Sequence, residues 1–298
     1  MTNLVRVELR RLLSRRMVRV VVLGAIGLLV VSGIITFVQA GRDARTYETG
    51  SSPFVEREVR RCVRGDYGPL PGLSESERRA ECEAMVGADP RFQYSSIREI
   101  LLGSSPPFLL LAVLLGASFI GAEWHFGTIT TALTWEPRRM RILAVKAVVV
   151  TVFAAIFFII LQAILAAVLY PAAAVYGTTT GLDAAWTRDV AGIVVRGALL
   201  AAISALIGFS LASIGRNTTA ALGAIFVYFV AIEPIVRGLR PGWVKWLFID
   251  NASILISEQS TSFPPLDRSV WGAGLLLAIY SGIALIAGLM WFKRRDVT

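Results

Sequence analysis

"ILAVKAVVVTVFAAIFFIILQAILAAVLY", residues 142–170, is an apolar run whose only charge is Lys146. A helix rises about 1.5 Å per residue and the hydrocarbon core of a bilayer is about 30 Å thick, so roughly 20 such residues cross it. This run is long enough and apolar on every face, which a helix on a soluble surface is not. Five further runs read the same way. The expected spans are 17–40, 106–122, 142–170, 190–214, 219–235 and 270–292. A composition of 55% hydrophobic and 17% charged residues, with mean hydropathy +0.64, lies outside the range of soluble domains. The fold class is therefore an all-α polytopic membrane protein with six transmembrane helices.

An even number of spans puts both termini on one side. That side would hold Arg6, Arg10, Arg11, Arg15, Arg16, Arg19, Arg138, Arg139, Arg141, Lys146, Arg216, Lys293, Arg294 and Arg295, against only Glu8, Glu123, Glu136 and Asp296. Elsewhere bases and acids nearly balance, so the positive-inside rule makes the terminal side cytoplasmic. The net charge of +9 is then a topological signal, and no nucleic-acid partner is expected. Tryptophans agree, falling at expected span edges or in outer loops. The preference for arginine over lysine points to a GC-rich bacterium, hence a multi-pass protein of the bacterial plasma (inner) membrane with both termini cytoplasmic. The "FVQA" before Gly41 resembles a signal-peptide cleavage site. The apolar stretch before it, however, exceeds the roughly 7–15 residues of a signal core, so a retained first span is expected.

Three segments lie outside the spans. In residues 1–16, Leu4, Val5, Leu9, Leu12 and Leu13 recur at helical spacing between arginines, as in an amphipathic helix on the cytoplasmic surface. Residues 41–105 form an expected extracytoplasmic helical mini-domain with nearly balanced charge. Ser52-Pro53 and the capping box Ser74 to Glu77 mark helix starts there. Both cysteines, Cys62 and Cys82, fall in it, and an oxidising exterior would join them in a disulfide. No histidine or further cysteine is near, so no metal site is expected. In 237–269 the apolar pieces are too short to span and carry Trp243 and Trp246, which fits an outer re-entrant or interfacial segment.

Catalytic chemistry finds little support. His125 is the single histidine and lacks a nucleophile and orienting partner in sequence. Ser210 in "GFS" is an incomplete nucleophile motif, and no lysine sits in a phosphate-binding loop. Arg196 and Glu233 lie at similar depth in the fourth and fifth spans, where charges are costly, and are expected to form an intramembrane ion pair. Gly116, Ala117, Gly121 and Ala122 suit a close helix approach, with core packing and dimerisation both open.

Residues 123–141 connect the second and third spans. In "EWHFGTITTALTWEPRR" Trp124 anchors a span end, Gly127 lets the chain turn and Thr128 can cap a short uncharged helix that includes Ile129 and Leu133. Pro137 suits the first turn of the next helix, and the arginines hold that end in the cytoplasm. Such a helix on two rigid arms is shaped to fit a groove in another protein.

Here the chain resembles the permeases of second-type ABC (ATP-binding cassette) exporters, with a type V ABC exporter-like plan. The resemblance rests on Glu123, Trp124, Gly127, Thr128, Leu133, Pro137, Arg139 and Lys146 in that order, and on the six spans, surface helix and outer loop. The cysteine-containing loop and the "EPRR" depart from the family pattern. The resemblance implies a non-enzymatic subunit that couples ATP hydrolysis by a separate cytoplasmic ATPase to substrate export. It also implies a second permease subunit, identical or not, in the lipid bilayer. ATP and Mg would sit on the ATPase, with no cofactor in this chain. The coupling helix would lie within 123–141, with Glu123 and Arg139 as polar transmitters. The alternative is a structural or regulatory membrane protein that binds a partner through its outer loop.

Overall fold

A computed structural model describes residues 2–48, 53–66, 74–86, 91–128, 139–262 and 265–294. The described residues are helical almost throughout: α1 (Thr2–Ser14), α2 (Arg16–Glu48), α3 (Pro53–Arg64), α4 (Glu75–Val86), α5 (Ile97–His125), α6 (Arg139–Tyr176), α7 (Ala184–Gly215), α8 (Thr218–Val227), α9 (Glu233–Leu239), α10 (Phe248–Ser257) and α11 (Val270–Arg294). Among the described residues six segments are long and apolar enough to cross a membrane: Arg16–Arg45, Tyr94–His125, Met140–Tyr176, Ala184–Gly215, Thr218–Leu239 and Val270–Lys293.

Two helices differ instructively from expectation. α5 runs through Pro106 and Pro107, whereas the sequence suggested a start at 106. Proline removes a backbone donor and would break an exposed helix. Just before this point, the Leu101 carbonyl accepts from Ser104 Oγ at 3.0 Å, Ser105 Oγ at 2.7 Å and Gln162 Nε2 at 3.1 Å. These bonds tie the turn before the prolines to Gln162 of α6, and packing among neighbouring helices lets proline persist in apolar helices. The fifth segment is also not one α-helix, because a π turn, Tyr228–Ile232, joins α8 to α9.

The chain divides into two compact units. One holds Met1–Gly27, Arg98–Ile164 and Thr187–Thr298. Its α5 and α7 meet backbone to backbone, since a Cβ added at Gly116 would lie 2.0 Å from the Ala205 carbonyl oxygen and one at Gly208 would lie 2.5 Å from that of Val113. The small residues of α5 thus serve packing within the chain. Asp183 starts α7 by accepting from the Trp186 N–H at 2.7 Å, and Asn217 caps α8 through the Thr219 N–H at 2.8 Å.

The other unit holds Leu28–Ile97 and Leu165–Trp186. Here Phe37 packs on Tyr176 at 5.0 Å, and Tyr94 meets Tyr170 at 5.4 Å while donating to the Ala166 carbonyl at 3.0 Å. Within the same unit α3 and α4 form a hairpin with Val59, Val63, Cys62 and Cys82 at its centre. The cysteines are joined in a disulfide, as expected, with their Cα atoms 5.7 Å apart. Since α2 continues to Glu48 and α5 begins at Ile97, the segment between them is narrower than 41–105 at both ends. The bridge closes a sequence separation of 20 residues. Replacing both cysteines by serine is expected to cost the hairpin about 3 kcal/mol, measured as faster proteolysis between α3 and α4.

The capping box forms as read. Ser74 N–H donates to Glu77 Oε2 at 2.9 Å, and Glu77 N–H returns to Ser74 Oγ at 3.3 Å. Hydrogen bonds from the Ser74 side chain and backbone hold the Glu77 carboxyl below its ordinary range. Because the folded value is the lower one, this stabilisation is present above the unfolded value of about 4.3 and is lost as pH falls through the folded value. Hydrogen exchange should therefore show the first turn of α4 losing protection below about pH 4, whereas Glu77→Gln should show no such step.

Candidate functional site

α1 is amphipathic in an unusual sense, for its inward face carries an acid. Glu8 and Leu12, one turn apart, are buried, and Glu8 meets Lys146 near the start of α6. Lys146 has no exposed surface; its Nζ lies 2.5 Å from Glu8 Oε2 and 2.8 Å from Glu123 Oε1 at the end of α5. Arg15, at the break between α1 and α2, donates to the same Glu123 oxygen at 2.8 Å and to the Ser118 carbonyl at 3.1 Å. Arg11 adds a contact to Glu8 at 2.9 Å. The Phe119 ring lies 4.9 Å from the Arg15 guanidinium carbon and 5.1 Å from the Lys146 ammonium, so one ring serves both cations.

Each buried charge costs several kcal/mol of lost hydration, and only close pairing offsets it. Two cations and two carboxylates meet that need here. Burial pulls the Arg15 guanidinium below its ordinary value, while Glu123 and Glu8 pull it back. Glu123 Oε2 is buried without a hydrogen-bond partner among the described residues. Chemically the cluster is a clamp. It joins α1 to the last turn before the 126–138 connection and to the first turns after it.

The residues read from that connection divide as follows. Glu123 is in the clamp. Trp124 packs on Phe292 at 5.7 Å and under Arg216 at 4.6 Å, and His125 is exposed against the Phe126 ring at 5.0 Å. Gly127 has φ +65°, a conformation that favours glycine, and Thr128 is helical and exposed. Ile129, Leu133 and Pro137 lie outside the described residues; Arg139 opens α6, and its side chain is likewise outside them.

The expected pair of Arg196 with Glu233 does not form. Glu233 is buried and accepts the Ile249 N–H at 2.9 Å, with Arg237 at 3.6 Å. Arg196 instead pairs with Glu258 and reaches the Ile256 carbonyl at 3.4 Å. α10 explains both. Its unsatisfied N–H groups and positive dipole end attract Glu233, and its carbonyl end attracts Arg196, so the two charges serve opposite ends of one short helix. Tyr228 Oη takes the Phe248 N–H at 3.3 Å. Asp250, fully buried, receives Arg237 through two bonds of 3.2 and 2.6 Å and Thr261 at 3.1 Å. Asn251 donates to the Lys245 and Leu247 carbonyls at 3.1 and 2.7 Å and accepts from Arg268 at 2.9 Å. The 237–269 segment is thereby tied down through buried polar side chains.

Beside α10, walls from α5, α7, α8, the π turn and α11 enclose a half-open apolar cavity of about 1490 Å³. Leu109, Val113, Phe226 and Phe229 form part of its body, Tyr228, Tyr280, Ser253 and Thr261 contribute hydroxyls, and among the described residues no charged side chain lines it. It can hold a large apolar body and few polar atoms.

Sequence reasoning missed Glu8, Arg15, Asp250 and Asn251 as site residues. Glu8 was visible as the lone acid of an arginine-rich helix, in line with Leu12, and Asp250 as the lone acid of "FIDNASILI". Arg15 is indistinguishable from its neighbours without the fold.

A family model described as a protein of unknown function, DUF2705, matches residues 93–298, beginning after the α3–α4 hairpin. No curated protein matches the chain.

Proposed function

We propose a function on the premise that the chain belongs to the DUF2705 family, a membership that brings no activity with it. The chain is the membrane-spanning permease subunit of an ATP-driven exporter, docking a separate cytoplasmic ATPase through the 123–141 connection. The observation that carries this reading is the buried clamp of Glu8, Arg15, Glu123 and Lys146. A segment that receives force from an ATPase must pass it to the helices it joins, and a clamp across both of its roots and α1 makes that transfer stiff. The six membrane-length helices and the large apolar cavity are the further parts such a subunit requires. ATP binding on the partner would then favour one arrangement of the spans over another, as coupled equilibria demand.

The test is ATP turnover by the candidate ATPase with and without this chain in the same lipid. Wild type should bind and change the turnover, and Ile129→Glu with Leu133→Glu should abolish both effects while the protein remains folded. Failure of any ATPase to associate with the folded chain removes the exporter reading. The disulfide-joined α3–α4 hairpin supports the alternative, a structural or regulatory membrane protein with an external partner; that protein would leave ATP turnover unchanged.

A further inference from the structure

Successive residues of α1 turn by about 100°, which sorts its described side chains into sectors. Glu8, Leu12 and, past the helix end, Arg15 face the protein. The next sector holds Val5, Leu9 and Leu13, which are exposed at 38%, 39% and 48%. Beside it stand Arg6 and Arg10, both exposed. The remaining arginines differ in their engagements. Arg11 is held by Glu8, Arg15 by Glu123, and Arg19 donates to the Ser14 carbonyl at 3.2 Å. Arg6, Arg10 and the exposed Arg16 make no hydrogen bond or ion pair among the described residues.

An exposed aliphatic stripe flanked by unpaired cations is the pattern of a helix lying in a membrane interface. Position removes other occupants, because the membrane-length segment Arg16–Arg45 begins within two residues of the end of α1 and ties it to the bilayer surface. We propose that α1 is a binding surface for anionic phospholipid. Val5, Leu9 and Leu13 enter the acyl boundary, and Arg6, Arg10 and Arg16 hold the headgroup phosphates. The adjoining face presents Glu8 to Lys146, so lipid held along one face of α1 steadies the buried clamp beside it. This inference stands without the exporter reading, since it needs only the membrane and α1.

The experiment uses the full chain in a neutral detergent, titrated with short-chain phosphatidylglycerol or phosphatidylcholine, and reads hydrogen exchange over residues 5–19. An arginine held at an anionic surface contributes roughly fivefold in affinity, so three should favour phosphatidylglycerol on the order of a hundredfold at low salt. The preference should shrink as salt rises. Arg6→Gln, Arg10→Gln and Arg16→Gln together should erase the preference while leaving weak protection by both lipids, and lysine at the three positions should restore it. These side chains are exposed and outside the clamp, so the variants keep the fold. Equal protection by both lipids in the wild type overturns the proposal. So does a preference that survives the glutamine variant, or matching protection by inorganic phosphate or by an acidic peptide.

Discussion

Lys146→Met is expected to cost about 3–5 kcal/mol, because it removes the cation shared by two carboxylates and leaves both buried without it. The loss should appear as a large fall in the thermal midpoint of the detergent-solubilised protein. Pairing identifies the cause. Adding Glu8→Gln to Lys146→Met removes one stranded charge and should recover part of the loss, whereas adding Arg15→Gln strands Glu123 further and should deepen it. Glu8 Oε2 and Glu123 Oε1 both touch Nζ, so the three effects cannot be additive. A Lys146→Met protein as stable as wild type would mean that the clamp contributes nothing to the fold, and the force-transmitting role drawn from it would go too.

Gly116→Val should be comparably damaging. Even the first added carbon would lie 2.0 Å from the Ala205 carbonyl oxygen, a backbone atom that no rotamer change can move aside. Overpacking typically costs about 1–3 kcal/mol, and a β-branched side chain against backbone belongs at or above the top of that range. Gly103 in the same helix is the control, since an added carbon there meets nothing within 4 Å. Gly103→Ala should change stability by no more than about 1 kcal/mol, in the favourable direction. Unfolding by increasing fractions of a denaturing detergent would measure both. A Gly116→Val protein that kept its midpoint but lost a dimer would move this contact from within the chain to between chains.

The six membrane-length helices were legible because hydropathy acts on whole segments and needs no partner. The capping box and the cysteine pair were legible because their partners lie near in sequence or have no rivals. Charge pairing at a distance was not. Arg196 and Glu233 sit at similar depth in neighbouring spans, and depth alone suggested a bond. What separates them is α10, whose two ends offer each charge a nearer partner of opposite sign, and a ten-residue apolar helix gives no sequence sign of where its ends will point. The connection at 123–141 was read from turn chemistry, yet its anchoring lies in Glu8 and Arg15, more than a hundred residues earlier. The sequence marks Glu8 as the single acid of α1, and the fold adds that its partner is Lys146.

The π turn at Tyr228–Ile232 has a consequence for everything beyond it. The Glu233 N–H reaches back five residues, to the Tyr228 carbonyl, so this turn contains one residue more than regular winding requires. An added residue is a phase shift of about 100° between the halves of the segment. The half before it can take its facing from α8 contacts, while the half after it is set independently, with Glu233 aimed at Ile249 and Arg237 at Asp250. Deleting Val230 would return the segment to even winding and rotate both side chains off their targets at once. The fifth segment therefore works as a vernier, and the alignment of α10 depends on its offset.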